Sequence, residues 1–214
     1  MESTVIFMVR HGETIWSSEN RMAGTSDISL SETGKAHISS LGARLKQADI
    51  GASSIYTSPL LRCHQTAEII NQYLNLPIKE EKALREMDYG IWEGKLHEDI
   101  IRNNLYSQWD HDPLTVTPPE GENLQAFFER IYPAFLRICE ENLGKKVILT
   151  AHKTVNRVLL CSILGISITN YRKVFSQFPA CLNVVRFYSD KSFKLIAMND
   201  ISHYNGNPAL ETIV

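Results

Sequence analysis

Short runs of apolar residues alternate along this chain with longer segments in which apolar residues recur at helical spacing. Residues 5–8, 53–57, 76–80 and 147–151 each have the length of a short strand, and the first and last of these runs are largely apolar. Strands that alternate with helices are typical of an α/β fold whose central sheet is mostly parallel. The pattern therefore predicts an α/β protein.

The segment that ends near Ala48 has a clear helical pattern. Ser29 and Glu32 fit a capping box that would begin this helix, and Ser31 is an alternative N-cap. Its apolar and small residues recur three and four positions apart. They predict the face that packs against the sheet: Ile38, Leu41, Gly42 and Leu45.

The remaining elements follow from the same periodicities. Further helices are predicted at residues 59–73, 96–109, 122–142 and 155–164. Residues 182–188 and 193–198 predict a β-hairpin around a short polar turn. No internal repeat, linker or low-complexity tract divides the chain, so we predict a single domain over residues 1–214.

Composition and charge narrow the classes of function. With 22 Lys and Arg against 24 Asp and Glu, the chain lacks the positive excess of a nucleic-acid-binding protein or of an electrostatic membrane anchor. No apolar run approaches the ~20 residues that a bilayer-spanning helix needs, and the N-terminus has no secretory signal. The 4 cysteines are widely spaced without a C-x-x-C pair, which indicates free thiols. We therefore expect a cytoplasmic protein that binds neither nucleic acid nor membrane.

The first candidate catalytic residues directly follow the first predicted strand, at Arg10-His11-Gly12. The carboxyl end of a strand in an open α/β sheet is where ligands bind. Arg10 supplies a planar cationic fork that suits phosphate, and an imidazole with one ring nitrogen held by a partner can be a nucleophile. Gly12 allows a tight turn at this edge. By itself this tripeptide is equally consistent with an ordinary turn at the end of a strand.

Three further segments support a catalytic site for a phosphorylated ligand. Ser58 and Pro59 fit the N-cap and first residue of a helix, which places Arg62 near the end of that helix that favours phosphate. Glu86 lies in a glycine-punctuated loop between residues with bulky side chains, and His152 follows a second apolar strand. Two strands that each end at a histidine, with an arginine at a helix start, indicate a phosphate site.

At these residues the chain resembles the histidine phosphatase superfamily, which includes cofactor-dependent phosphoglycerate mutases and related phosphomonoesterases. The resemblance runs from about Val5 to His203. The motifs that carry it are Arg-His-Gly-Glu-Thr at 10–14, Glu-Asn-Arg at 19–21 with Gly24, Leu-Ser-x-x-Gly at 30–34, Thr-Ser-Pro-x-x-Arg at 57–62, the 84–94 loop, Pro-x-Gly-Glu at 119–122, and Ala151-His152 with Arg157. The resemblance implies a three-layer α/β/α sandwich with a mostly parallel central sheet.

The resemblance also implies the catalytic roles. His11 would attack phosphorus and form a phosphohistidine, and His152 would bind the transferring group. Glu86 would protonate the leaving group and then activate water. Arg10 and Arg62 are the natural clamps for the phosphate, because each can donate paired hydrogen bonds.

Five residues are expected to bind substrate around this centre. Arg21, Gly24 and Thr25 lie in the segment that closes on the phosphate in the family, although Arg21 could instead pair with a surface carboxylate. Ser17 stands where the family often has Asn, and it could donate one hydrogen bond to phosphate. Lys153 stands where relatives commonly have Gly. It either meets a second anionic group of the substrate or points to solvent, and we favour solvent.

The resemblance and the residues together predict a metal-independent phosphomonoester hydrolase that acts on a small phosphorylated metabolite. No cofactor is implied. The chain lacks H-x-x-x-H and H-E-x-x-H motifs, and two arginines beside the site would repel a metal ion.

Two alternatives stay open. One is a phosphoglycerate mutase-type phosphotransferase, which the short segment after the 84–94 loop disfavours because related mutases have an insertion there. The other is a catalytically inactive relative that binds a phosphorylated ligand or a partner protein, although every residue needed for chemistry is present. A small phosphomonoester is the expected partner, and an exposed edge strand could pair in a homodimer.

Overall fold

A mixed sheet of six strands lies at the centre of the structure. The computed structural model describes residues 1–205, and its strands are β1 (Ser3–Arg10), β2 (Ser54–Thr57), β3 (Ile78–Glu80), β4 (Lys146–Ala151), β5 (Leu182–Tyr188) and β6 (Phe193–Asp200). They lie in the order β3-β2-β4-β1-β5-β6. The pairs from β3 to β1 are parallel, whereas β5 runs antiparallel to both β1 and β6. The predicted mostly parallel sheet is therefore confirmed, with an antiparallel hairpin at one edge.

Helices connect these strands and cover the sheet. They are α1 (Ile15–Ser18), α2 (Glu32–Gln47), α3 (Leu61–Leu74), α4 (His97–Ile101), α5 (Asn104–His111), α6 (Leu124–Glu141), α7 (Lys153–Ile163) and α8 (Tyr171–Val174). Single 3₁₀ turns occur at Lys82–Leu84, Gly90–Trp92 and Ile168–Asn170. Within residues 1–205, none of these helices combines the length and apolar character that crossing a bilayer would require.

Alternate residues of the central strands point into two separate apolar cores. On β4, Val147 and Leu149 belong to the core that α6 and α7 cover, whereas Ile148 belongs to the core under α2 and α3. This alternation follows from the two-residue period of a strand. The predicted inward face of α2 is buried in the second core: Ile38, Leu41 and Leu45. Helices on both faces of one sheet confirm the predicted three-layer sandwich.

The N-cap of α2 agrees with one of the two predicted caps and differs from the other. Ser31 is the N-cap of α2, and its hydroxyl accepts a hydrogen bond from the Gly34 amide at 3.0 Å. The capping box from Ser29 is therefore wrong, and the alternative cap is confirmed. The reason is that Leu30 pairs with Thr14 in an isolated antiparallel bridge, which keeps the chain extended up to the cap.

The start of α3 was also predicted wrongly. The helix begins at Leu61, so Ser58 is not its N-cap and Pro59 is not its first residue. The Leu61 amide instead donates to the Asp27 carboxylate at 2.6 Å, across 34 positions of the chain. The Ser58 hydroxyl lies 2.7 Å from Nε2 of His152. The local capping signal at Ser58 was misleading, because the distant Asp27 binds the first amide of the helix.

The other elements agree with the pattern to within a few residues. β5 has the predicted bounds, and β6 extends beyond its predicted end to Asp200. The irregular segment at 96–109 forms the two short helices α4 and α5, and Asn103 caps the second of them. The end of the predicted domain, residues 206–214, lies outside the described residues.

Candidate active site

Three parallel strands bring the candidate residues to one edge of the sheet. Arg10 at the end of β1 is in register with Ala151 at the end of β4, and the His11 amide donates to the Ala151 carbonyl at 3.0 Å. The Ser58 amide, just past β2, donates to the carbonyl of Thr150 at 3.1 Å. The residues that follow β1, β2 and β4 therefore meet at the carboxyl edge, where α/β proteins bind ligands.

A cavity of about 180 Å³ opens at this edge. Its walls include seven of the predicted site residues: Arg10, His11, Ser17, Arg21, Gly24, Arg62 and Glu86. Lys153, at the first position of α7, also lines it. His152 and Thr25 are outside the lining, so the cavity brings most but not all of the predicted residues together.

The imidazole of His11 is held in one tautomer. Its Nδ1 lies 2.7 Å from the carbonyl oxygen of Gly12, and a carbonyl can only accept a hydrogen bond. Nδ1 therefore carries the proton, and Nε2 keeps its lone pair in the neutral ring. Among the described residues Nε2 has no hydrogen-bond partner, so it is available to an electrophile in the cavity.

The surroundings of His11 also keep its ring neutral. Burial and the nearby cations Arg62 and Arg10 lower the pKa of His11 well below its ordinary value, and the Gly12 carbonyl opposes this only weakly. A neutral imidazole is the nucleophilic form, because protonation would remove the lone pair on Nε2. The site therefore favours the reactive state of this histidine near neutral pH.

The two arginines of the predicted clamp are buried and held by backbone carbonyls. Arg10 donates from Nη1 to the Gln177 carbonyl at 2.6 Å. Arg62 donates from Nη1 and Nη2 to the carbonyls of Ser26 and Gly24, at 2.8 and 2.6 Å. The Nε of each arginine is buried without a partner among the described residues. Both guanidinium groups are thus fixed beside His11 with donor capacity left for an anion.

His152 lies behind His11 and is completely buried. The two rings meet edge to face with their centroids 5.3 Å apart. Burial lowers the pKa of His152 well below its ordinary value, and the charges of Arg62, His11 and Arg10 act in the same direction. With Nε2 beside the Ser58 hydroxyl, the ring is oriented by the segment that precedes α3. Its predicted contact with phosphate stays a prediction.

Glu86 is the single carboxylate on the cavity wall among the described residues. Its side chain is buried, and each of its oxygens accepts a backbone amide. Oε1 accepts from Met87 at 2.9 Å and Oε2 from Thr154 at 3.1 Å. These bonds fix the carboxyl group between the 84–94 loop and the start of α7, on the wall of the cavity.

Ser17 and Arg21 reach the cavity but are engaged by their own segment. The Ser17 hydroxyl donates to the Thr14 carbonyl and accepts from the Thr14 amide, both at 2.9 Å, in a capping box of α1. Arg21 pairs with Glu19 at 2.6 Å and donates to the Gly94 carbonyl at 2.9 Å. A phosphate contact from Ser17 would require its hydroxyl proton to leave Thr14, and both binding roles stay predictions.

Thr25 and Gly24 are held by Glu93, a residue to which the sequence assigned no role. The Glu93 carboxylate accepts from the amides of Thr25 and Ser26 at 2.8 and 2.9 Å, and also from both of their hydroxyls. Gly24 has φ +51°, and a Cβ there would lie 1.9 Å from Glu93 Oε1. Glycine is therefore required where this loop crosses the carboxylate. The role of Thr25 in substrate binding is untested.

Replacing Glu93 with glutamine is expected to lower the free energy of unfolding by about 2 kcal/mol, because several donors would lose a charged acceptor and one would face an amide N–H₂. Urea unfolding measures this change. Glu98→Gln is the matched control, since Glu98 is exposed and has no hydrogen-bond partner among the described side chains. Equal stability of the two variants would contradict the bracing role of Glu93.

Lys153 lies between its two expected surroundings, the cavity and the solvent. It lines the cavity, although the residue as a whole stays exposed at the mouth. Desolvation of the amine, followed by repulsion from Arg10 and Arg157, lowers the pKa of Lys153 to about 7. The amine therefore shares the wall of the cavity with Arg10 and Arg157.

The wall also includes Arg157, Tyr171 and Arg172, to which sequence reasoning gave no catalytic or binding role. Arg157 stands one helical turn after Lys153, a spacing that predicts a shared face of α7. Arg172 follows the start of the four-residue helix α8, and so short a helix has no periodic pattern to find. Between residues 1 and 205, no three His, Cys, Asp or Glu side chains cluster in a way that could hold a metal ion.

Comparison with known proteins agrees with this geometry. Residues 6–201 match the histidine phosphatase superfamily (branch 1). The chain belongs to this superfamily, and the predicted class of enzyme, a phosphatase, is confirmed at that level.

Individual relatives cover nearly the whole chain. It is 33% identical over 208 residues to the uncharacterized phosphatase PhoE of Bacillus subtilis, covering 95% of this chain and 98% of that protein. It is 28% identical to phosphoglycerate mutase-like protein 4 of Arabidopsis thaliana, over 92% of this chain and 86% of the relative. The solved structure of YhfR from Bacillus stearothermophilus superposes with a TM-score of 0.84 at 28% identity, covering 94% of this chain and 98% of the other.

Proposed function

We propose that this protein is a metal-independent phosphomonoester hydrolase that acts on a small phosphorylated metabolite through a phosphohistidine on His11. The observation that carries this proposal is the state of His11. Its neutral ring presents a free Nε2 to a cavity that also contains two fixed guanidinium groups and one carboxylate.

In the first step Nε2 of His11 attacks phosphorus. The Nε2–P bond forms, the bond from phosphorus to the ester oxygen breaks, and a protonated Glu86 gives its proton to the departing alcohol. Arg10 and Arg62 neutralise the charge that spreads over the phosphoryl oxygens in the transition state. Their bonds to Gln177, Ser26 and Gly24 hold them in place before substrate binds, so little reorganisation is needed.

In the second step water replaces the histidine. The Glu86 carboxylate takes a proton from water, the new oxygen–phosphorus bond forms, and the Nε2–P bond breaks to release inorganic phosphate. Glu86 ends protonated, as it began, and the His11 ring is again neutral. The amides of Met87 and Thr154 hold the Glu86 carboxyl group in one place on the cavity wall, which supports the proposal that a single group serves both steps.

The native protein is expected to hydrolyse p-nitrophenyl phosphate in the presence of excess EDTA, at the rate seen without EDTA. The physical reason is that the arginines supply the positive charge that a metal ion would otherwise supply. Nitrophenol release measures the reaction. Activity that EDTA abolishes and added metal restores would overturn the proposal.

A phosphotransferase is the second candidate, and the relationship to a phosphoglycerate mutase-like protein favours it. The same assay separates the two when inorganic phosphate is measured beside nitrophenol and an alcohol such as glycerol is added. A hydrolase releases the two products in equal amounts. A transferase releases less phosphate than nitrophenol, because the phosphoryl group passes to the alcohol.

A further inference from the structure

Positive charge is concentrated on the walls of the cavity. Among the described residues, one carboxylate, that of Glu86, and six cationic side chains line it: Arg10, Arg21, Arg62, Lys153, Arg157 and Arg172. The chain as a whole has a net charge of −2, so this concentration is not a general property of its surface. A cavity of this kind attracts anions.

Two of these cations are not accounted for by the proposed reaction or by internal pairing. Arg21 pairs with Glu19, and Arg172 with Asp110 at 2.7 Å. Arg10 and Arg62 are the clamps for the reacting phosphate. In the described part of the chain, Lys153 and Arg157 have neither an ion pair nor a side-chain hydrogen bond, and the Nε of Arg157 is buried.

Lys153 and Arg157 lie on one face of α7, because they are four residues apart in the same helix. Two more donors belong to this side of the cavity. The Tyr171 hydroxyl and the Trp109 indole nitrogen are buried on the wall and lack partners among residues 1–205. Burial raises the pKa of Tyr171, so its hydroxyl keeps its proton and can donate.

Unpartnered donors of this kind are costly in a folded protein, since a buried polar group without a hydrogen bond loses the solvation it had in water. Four donors line the cavity without an acceptor among residues 1–205: Arg157 is charged, and a bound anion would favour the charged form of Lys153. A ligand with several acceptor oxygens and a negative charge would satisfy them together. In the proposed reaction the phosphoryl group at His11 is bound by Arg10 and Arg62, which leaves these four donors for another acceptor.

We propose that Lys153, Arg157 and Tyr171 form a subsite for a second anionic group of the substrate. This subsite rests on the proposed hydrolase function. It would narrow the substrate class to small phosphomonoesters that also have a carboxylate or a second phosphoryl group. The reacting phosphate lies against Arg10 and Arg62, and the second anion lies against α7. Arg172 stacks over Trp109, with its guanidinium carbon 4.9 Å from the ring centroid, and so adds positive charge behind the subsite.

The test uses three substrates with the same three-carbon chain. These are 3-hydroxypropyl phosphate, 3-phosphonooxypropanoate and propane-1,3-diol bisphosphate, which end in a hydroxyl, a carboxylate and a second phosphate. We expect kcat/KM of the native protein to be at least about tenfold higher for one or both anionic substrates, the size of one charge-assisted hydrogen bond. The kcat/KM for the bisphosphate is halved, because this substrate has two equivalent phosphates. Comparing the halved value with kcat/KM for the carboxylate substrate identifies the preferred anion.

Lys153→Gln and Arg157→Gln are each expected to lower this preference by about tenfold, because each removes one charged donor from the subsite. Lys173→Gln is the matched control, since Lys173 is exposed and lies outside the cavity lining. Hydrolysis of 3-hydroxypropyl phosphate by the same preparation shows that each variant is folded. The quantity compared between proteins is the ratio of kcat/KM for the preferred anionic substrate to kcat/KM for 3-hydroxypropyl phosphate.

The outcomes separate the subsite from the reaction. If all three substrates are hydrolysed equally well, or if the preference survives in both variants, the subsite is overturned while the hydrolase function stands. If the native protein hydrolyses none of them, nor p-nitrophenyl phosphate, both proposals fail. A preference that is lost in Lys153→Gln and Arg157→Gln but kept in Lys173→Gln supports the subsite.

Discussion

His11→Ala is expected to lower kcat for p-nitrophenyl phosphate by about 10⁴-fold or more, the scale of loss when a covalent nucleophile is removed. The substitution deletes the atom that forms the bond to phosphorus, while Arg10 and Arg62 keep their backbone partners. Phosphate should therefore still bind, and KM should change much less than kcat. Steady-state kinetics on the purified variant measure both.

The covalent intermediate gives a second readout of the same residue. In the native protein, alkaline quenching during turnover should trap one phosphoryl group, and peptide mass spectrometry should place it on His11. His64→Ala is the control, because His64 is a half-exposed histidine that pairs with Glu68 on α3, and it should retain full activity and the trapped adduct. A phosphoryl group on another residue, or His11→Ala with more than a tenth of native activity, would contradict the mechanism.

The sequence predicted that His11 and His152 lie close together, because this prediction required only that their two strands be parallel neighbours. Each residue directly follows an apolar run, and parallel strands end at a common edge. The register of Arg10 with Ala151 confirms that the two strands are neighbours. The apolar runs were informative because β4 is buried on both faces and β1 is buried on one face and half-buried on the other over residues 3–8, which favours apolar side chains at most positions.

Two of the details that sequence reasoning missed depend on contacts between distant segments. Asp27 caps α3 from 34 positions away, and Glu93 binds the amide of Thr25 across 68 positions. No local pattern indicates such partners. Ser17 shows the same limit within one turn, because the sequence does not reveal that its hydroxyl completes a capping box with Thr14.

The charge of the cavity is a further property that composition concealed. A net charge of −2 gave no indication that six cationic side chains line one cavity of the described structure. Lys153 and Arg157 can be assigned to the wall of that cavity only when α7 is placed against the ends of β1 and β4. Local charge, and not net charge, determines which ligand the cavity attracts.

Glu86→Gln is expected to have an effect that depends on the leaving group. For an alkyl phosphate such as 3-hydroxypropyl phosphate, kcat/KM should fall by about 10³-fold, within the range for loss of a general acid. Glutamine can accept the same backbone amides from Met87 and Thr154 through only one oxygen, and it has no proton to give to the departing alkoxide. For p-nitrophenyl phosphate the fall in kcat/KM should be much smaller, because nitrophenolate leaves without protonation.

Hydrolysis of the phosphohistidine, the second step, tests whether Glu86 also acts as a base. With p-nitrophenyl phosphate, Glu86→Gln should form the phosphohistidine readily but hydrolyse it slowly, so a burst of nitrophenol should precede a slow steady state and the His11 adduct should accumulate. Glu80→Gln, at an exposed position of β3, should behave as the native protein does. An equal fall in kcat/KM for both substrates would mean that Glu86 does not protonate the leaving group. A missing burst would mean that it does not activate water, because the intermediate would then be consumed as quickly as it forms.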